Sequence, residues 1–290
     1  DLFLSYIANG SAALTVNSKI LDNVSAPVRL IVSTGTFASS NITLQGANVY
    51  TGGTIVNGAS LTVGATGTLP AGGLVINNGT VTQTAGGAIG SQAVTLNGGS
   101  TLTLVGANSL TGLTINNLGG TANPSVATGG VLTLTGATQV VATSSNVGTT
   151  AAVSGTLDFS NNAGTINVAP IQVTDPVTSV TTVIAPLQAT LSLSAVIQNA
   201  GGLTKSGAGL LQLSGASTFG GGLTVSAGGL ILAADSTPSA LLTASSAVTS
   251  GPVGRGTLTM ADGTSLLTNN QTRTIANPTV FQGAPRFSNI

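Results

Sequence analysis

The chain has 290 residues, zero formal net charge, six Lys plus Arg against six Asp, and no Glu, His or Cys. It is 4% charged, where an ordinary soluble domain is about 25%. No clustered basic residues offer a footprint for nucleic acid or an anionic membrane, no apolar run reaches the roughly 20 residues of a membrane helix, and the missing His and Cys remove triads, thiol catalysis and zinc sites.

Glycine is abundant at 41 residues and aromatics are scarce at 3%, with no Trp. A large globule usually anchors its core on several aromatics; a narrow interior filled by Val, Ile, Leu and Ala does not need them. The weakly charged surface does little to keep molecules apart, which suits a protein that assembles or is held in a larger structure. The absence of Cys fits an extracellular protein exported through a bacterial envelope. The chain starts at Asp1 without Met or a signal-peptide pattern, so it is expected to be a processed form or an excised segment.

Residues 1–40 depart from the pattern that follows. They hold Lys19, Asp22 and Arg29 together with Phe3, Tyr6 and Phe37. They are expected to be a cap, an irregular first set of rungs, or a contact surface. Asp1 to Ala8 (DLFLSYIA) alternates well enough to pair with the edge of a neighbouring subunit.

Residues 41–165 are predicted to be β throughout. Segments such as Leu102-Thr103-Leu104 alternate with period two, which puts Leu on one face and Thr on the other. One series of strands begins near Ile42, Leu61, Val81 and Leu102. A second begins near Ile55, Leu74, Val94, Leu113 and Leu132. Both advance by about 20 residues, room for three short strands and three turns in one coil. Asn57-Gly58, Asn78-Gly79 and Asn97-Gly98 fall at one phase, with Asn117 following. Asn and Gly tolerate the positive φ of sharp turns, and Asn stacked at one corner can form an amide ladder. The rival reading is a set of Asn-Gly hairpins in an antiparallel sheet, which leaves the common step unexplained. Stacked coils also favour uncharged Thr, Ser and Val outside, because like charges about 4.8 Å apart repel along a column. About 12 to 14 rungs would make a rod of roughly 55 to 70 Å.

Residues 166–200 contain Pro170, Pro176 and Pro186 within β-rich sequence. Proline lacks a ladder donor, so an insertion or edge hairpin is expected there, with regular winding again by Gly202.

Residues 201–290 begin with Gly202-Leu203-Thr204-Lys205, followed by Leu-x-Leu-x-Gly-Ala at Leu211 to Ala216. An aromatic-Gly-Gly turn, Phe219-Gly220-Gly221, precedes a strand and an Ala-Gly turn at Leu223 to Gly229. Ile42 to Gly64 repeats the second half, with Tyr50-Thr51-Gly52-Gly53 at the aromatic turn. These segments resemble the passenger-associated transport repeat of autotransporter proteins, and Pro252 to Asn277 is similar to the sequence that commonly follows it. The resemblance implies a right-handed parallel β-helix, secreted across a Gram-negative outer membrane and displayed on the surface. It also implies a scaffold without catalytic residues. The membrane barrel that such passengers use is not in this sequence.

Candidate sites reduce to a few groups. Asp1, Asp22, Asp158, Asp175, Asp235 and Asp262 are scattered. Only Asp158 and Asp175 are spaced to meet across neighbouring rungs as a carboxylate pair of the kind glycoside hydrolysis needs; otherwise all six are solvated turn residues. Calcium repeats are missing, since GGAIG at 86–90 has no Asp after it. Lys205 reads as a surface or turn residue of the repeat. Thr101/Thr103, Thr133/Thr135 and Thr257/Thr259 evoke ice-binding faces, but the pairs do not recur on every rung. Sequons at Asn9, Asn23, Asn41, Asn78 and Asn270 are possible glycan positions. No catalytic, cofactor or metal residue is expected. The expected role is a non-enzymatic, adhesive stalk on a bacterial surface, with a head-to-tail filament or surface-layer subunit as the alternative. Expected partners are other copies of the chain and a host, matrix or glycan surface.

Overall fold

The computed structural model describes residues 1–6, 13–34, 41–239 and 247–289. Among these there is no helix. Short segments with strict period-two alternation form strands of three to six residues, and each turns one set of side chains inward. Thr62 and Thr82 flank buried Leu61, Val63 and Val81 in this way.

The chain winds into a parallel β-helix. Sheet I stacks twelve strands, from Ala13–Val16 through Asn41–Leu44, Ser60–Val63, Thr80–Gln83 and Thr101–Leu104 to Arg286–Asn289. Sheet II stacks twelve more, from Leu2–Tyr6 through Leu30–Thr34, Thr54–Asn57, Leu74–Asn77, Ala93–Asn97 and Gly112–Asn117 to Thr279–Phe281. Every pairing along the two paths is parallel. At about 4.8 Å per rung, twelve rungs span roughly 53 Å.

The third side of each rung is shorter. It is a lone bridge between Leu69 and Ile89 near one end. In the middle it becomes a true ladder: Asn108–Leu110 pairs with the far half of Ser125–Leu134, which continues to the far half of Ala151–Asp158 and then to Val196–Gln198. The two long strands bend round the corner from sheet I, and the register shifts between Ala127 and Val131 where the Gly129-Gly130 pair sits.

The first series of expected strands stands in register as read: Ile42 opposes Leu61, Leu61 opposes Val81, and Val81 opposes Leu102. The second series needs two corrections. Thr54, not Ile55, opposes Leu74, so Ile55 faces outward. Leu132 lies on the third side, opposite Asn108, while Leu113 of sheet II opposes Val140. The step lengthens there because the coil takes up extra turn residues, and the constant spacing ends.

One aliphatic core fills the prism, with Leu61, Leu74, Leu69, Leu102, Ile115, Leu132, Leu157 and Ile197 all fully buried. Burying each such side chain contributes about 1.5–3 kcal/mol relative to leaving it exposed. Residues 1–6 and 13–34 carry the first rungs of the same two sheets; Phe37, Ile7, Ala8 and the Asn9 sequon lie outside the described residues. Within residues 166–200, only an antiparallel hairpin leaves the coil. Gln172–Thr174 pairs with Thr181–Val183, and its tip is exposed. The strands Ala189–Leu193 and Val196–Gln198 already belong to sheet I and the third side.

Candidate functional site: the repeat corner and the asparagine ladder

The two copies of the repeat build the same corner. Tyr50 and Phe219 occupy equivalent positions and are both buried, where a large flat ring plugs the prism at the turn. The Tyr50 hydroxyl is not wasted: it bonds Thr54 Oγ1 at 2.6 Å, and burial pushes its pKa up to about 12. Gly53 and Gly222, three residues on, have φ near +82° and +83°, and a Cβ on Gly53 would stand 2.4 Å from the Gly72 carbonyl oxygen. Two residues before the aromatic, a polar side chain stitches rungs together. Asn48 Oδ1 accepts from Ile20 N at 2.9 Å while its amide donates to Thr68 O, and Ser217 Oγ accepts from Ile197 N at 3.1 Å.

Lys205 is not the surface residue expected from its motif. Its strand, Gly202–Ser206, turns Leu203 and Lys205 inward, and Lys205 has no exposed surface. It opposes Ile166 on one side and Val225 on the other, so a cation stands in an aliphatic column. The ammonium donates to the carbonyls of Ser206 at 3.2 Å, of Gly207, and of Ala227 on the next rung at 2.9 Å. Among the described residues no carboxylate pairs with it. Burial lowers its pKa from 10.5 to about 7, and the carbonyl contacts oppose that fall because they favour the charged form. The missed signal is phase: Leu203 and Lys205 alternate with Thr204 in one strand.

The expected amide ladder exists, one residue away from where two of its members were placed. Asn57, Asn77, Asn97 and Asn116 face one another across successive rungs of sheet II. Asn77 Nδ2 donates to Asn57 Oδ1 at 2.7 Å, Asn97 to Asn77 at 2.7 Å and Asn116 to Asn97 at 2.8 Å. Thr143 Oγ1 ends the run on Asn116 Oδ1 at 2.8 Å. Asn78 instead takes the turn position that Gly58 and Gly98 hold in neighbouring rungs, with φ of +47°, +60° and +66° respectively. Asn117 points inward and bonds Thr149. Asn-Asn and Asn-Gly are interchangeable at this corner, which hid the register.

The aspartates act locally. Asp22 accepts from Val28 N, Thr51 N and Thr51 Oγ1, and these bonds hold its pKa down. Asp158 feels burial, which raises its pKa, but bonds from Gln198, Ser160 N and Asn199 outweigh it and the net shift is downward. Asp175 caps the hairpin turn through Thr178 N and Val177 N and is likewise lowered. Asp158 and Asp175 share no partner. Asp235 accepts from Thr274 N and stands 3.8 Å from Arg273, Asp262 accepts from Ala284 N, and Asp1 pairs with Arg29. Among the described residues no three such ligands gather. Outward threonines form one column on sheet I, Thr15, Thr43, Thr62, Thr82 and Thr103. The neighbouring column is Ala13, Asn41, Ser60, Thr80 and Thr101, so Thr-x-Thr pairs stand on only two successive rungs.

No curated protein and no solved structure matches the chain. The passenger-associated-transport-repeat family model matches residues 40–63 and 203–232. Those spans contain Tyr50 and Phe219 at the two aromatic corners, Asn48 and Ser217 at the stitches, and Lys205 in its carbonyl cage. The chain is thus a parallel β-helix in which two short segments match the passenger-associated transport repeat.

Proposed function

We propose that the chain is a non-enzymatic, adhesive stalk of a secreted bacterial surface protein. One observation carries this reading: segments matching the transport repeat are set into a parallel helix, continuous in both sheets among the described residues, whose six Asp carboxylates are each tied to local turn or arginine contacts. A rod of this kind projects a surface away from a cell and needs no conformational change to do so. The weakly charged exterior favours contact with neutral surfaces, and display at the outer membrane is the setting that the transport repeat suggests. The test is to fuse the chain to an outer-membrane translocator barrel and display it on cells that do not otherwise adhere. Binding to glycan-coated or matrix-coated plates, abolished when surface protease removes the rod, is the expected result. Turnover of a polysaccharide or peptide that disappears on replacement of Asp158 or Asp175 would favour an enzyme instead.

A second reading is head-to-tail assembly into a filament or surface layer. It draws on the outermost described strands, each of which is paired along one edge. At one end Phe281 and Phe287 stack edge to face at 5.4 Å while half exposed. A second copy or further rungs of the same polypeptide would cover that surface equally well. Electron microscopy at high concentration separates the readings: rods of uniform length speak for the stalk, long fibres for the filament.

A further inference from the structure

A convex rod has few concavities, and one of them lies beside the asparagine ladder. This open hollow has a volume of about 490 Å³, in the range of small-molecule sites. One wall is the amides of Asn77, Asn78 and Asn97; the other is the loop Leu118, Gly119 and Gly120. None of the residues around it is charged.

Three features make this more than a gap. First, the ladder fixes its amides. Asn77 and Asn97 each spend one N–H and one oxygen lone pair on neighbours, which leaves one N–H and one lone pair per amide. These repeat along the rod at about 4.8 Å, already oriented, so binding costs little side-chain entropy. Asn78 accepts from Gly99 N, and its own amide donates to no protein group among the described residues. Second, the loop is open by composition. Gly119 and Gly120 have φ of +117° and +94°, a Cβ on either would meet nothing within 4 Å, and their N–H groups donate to no protein acceptor among the described residues. Third, Leu118 is 59% exposed and gives the hollow an apolar flank.

We propose that this hollow binds a neutral oligosaccharide lying along the rod axis. Each unspent amide offers a donor beside an acceptor, the arrangement that pairs with neighbouring sugar hydroxyls, which also donate and accept. Leu118 covers the C–H face of a ring. With no charge in the lining, neither an anion nor a cation gains a counter-charge, so acidic sugars and peptides are disfavoured. The inference rests on the adhesive reading and names its ligand class and site.

The test is titration of the ¹⁵N-labelled, unglycosylated chain with maltohexaose, cellohexaose and chitohexaose, with an oligogalacturonate as the anionic control. Side-chain NH₂ signals of Asn77, Asn78 and Asn97 are followed by NMR. At least one neutral hexasaccharide is expected to shift these signals and saturate them at about 1 mM, an affinity ordinary for a shallow site. Asn78→Gly keeps the turn, since Gly58 and Gly98 already hold that position, and removes the amide. Leu118→Asp puts a charge on an exposed flank without touching the core. Both variants should stay folded, Asn78→Gly losing only the exposed bond from Gly99 N, and should weaken binding about tenfold, which corresponds to about 1.4 kcal/mol. The proposal fails if no neutral probe shifts the three amides by about 10 mM, if binding is unchanged in both variants, or if the anionic control binds as well. Adhesion of displayed rods that survives Leu118→Asp would remove this site and leave the adhesive stalk standing.

Discussion

A lysine ammonium held by three carbonyls and no carboxylate gives the fold a testable pH signature. The folded pKa of Lys205 is about 7 and the unfolded value is 10.5. Between those values the unfolded chain binds more protons, so unfolding free energy rises with pH across that window and is flat below it. Relative to Lys205→Met, the wild type should gain about 3 kcal/mol between pH 7 and pH 10. Urea unfolding of both proteins at several pH values measures it, and the subtraction cancels other titrating groups. A pH-independent difference would mean that the ammonium keeps an ordinary pKa inside its carbonyl cage. At this scale the sequence concealed most. Lys205 sits beside Ser206 and Gly207, and such a neighbourhood reads as an exposed turn. Its burial follows only from counting inward positions from Leu203, and its partners only from Ala227 on the next rung. The ladder was easier, because Asn-Gly repeats mark a corner; the Asn77-Asn78 and Asn116-Asn117 doublets then left two candidates per rung, and register alone decided between them.

Strands were legible where the coil is regular. Ile42, Leu61, Val81 and Leu102 alternate cleanly with threonine and serine and fall 19 to 21 residues apart, so phase and register agree. Past Leu113 the step grows, and Leu132 took the place that belongs to Val140 because both open apolar stretches of similar look. The third side was not separable by pattern, since three residues such as Asn108–Leu110 are too few for a period. Of residues 166–200, the hairpin of Gln172–Thr174 and Thr181–Val183 leaves the coil, while Ala189–Leu193 and Val196–Gln198 stay in it. This division has an energetic consequence. The hairpin arm Thr181–Val183 is exposed throughout, and Val177 is fully exposed, so the excursion adds little to the core. Replacing residues 174–181 by a two-residue Asn-Gly turn should change unfolding free energy by less than about 1 kcal/mol. Leu191→Ala, a few residues on in sheet I and fully buried, should cost about 2–5 kcal/mol. Urea titration of the two variants decides it; equal losses would mean that the hairpin is a structural brace.

For the whole rod, cohesion is apolar burial and backbone ladders, with electrostatics nearly absent. Among the described residues two ion pairs occur, Asp1 with Arg29 and Asp235 with Arg273, and each has a partly exposed partner. Exposed pairs contribute about 0–1 kcal/mol and are screened by salt. In-register stacking explains the composition: a charge on an outward strand position would face its equivalents about 4.8 Å above and below, and Thr, Ser and Asn fill those columns instead. Stability should therefore be nearly blind to ionic strength. Between about 0.1 M and about 1 M NaCl, unfolding free energy should shift by less than about 1 kcal/mol. A fall of several kcal/mol would require attractive charge coupling that twelve scattered charged side chains do not supply. A comparable rise would require like-charge repulsion along the rod, which the outward columns of uncharged residues exclude. The same neutrality leaves no long-range repulsion between rods, so a salt-independent tendency to associate laterally should accompany the salt-independent stability, read by light scattering over the same range.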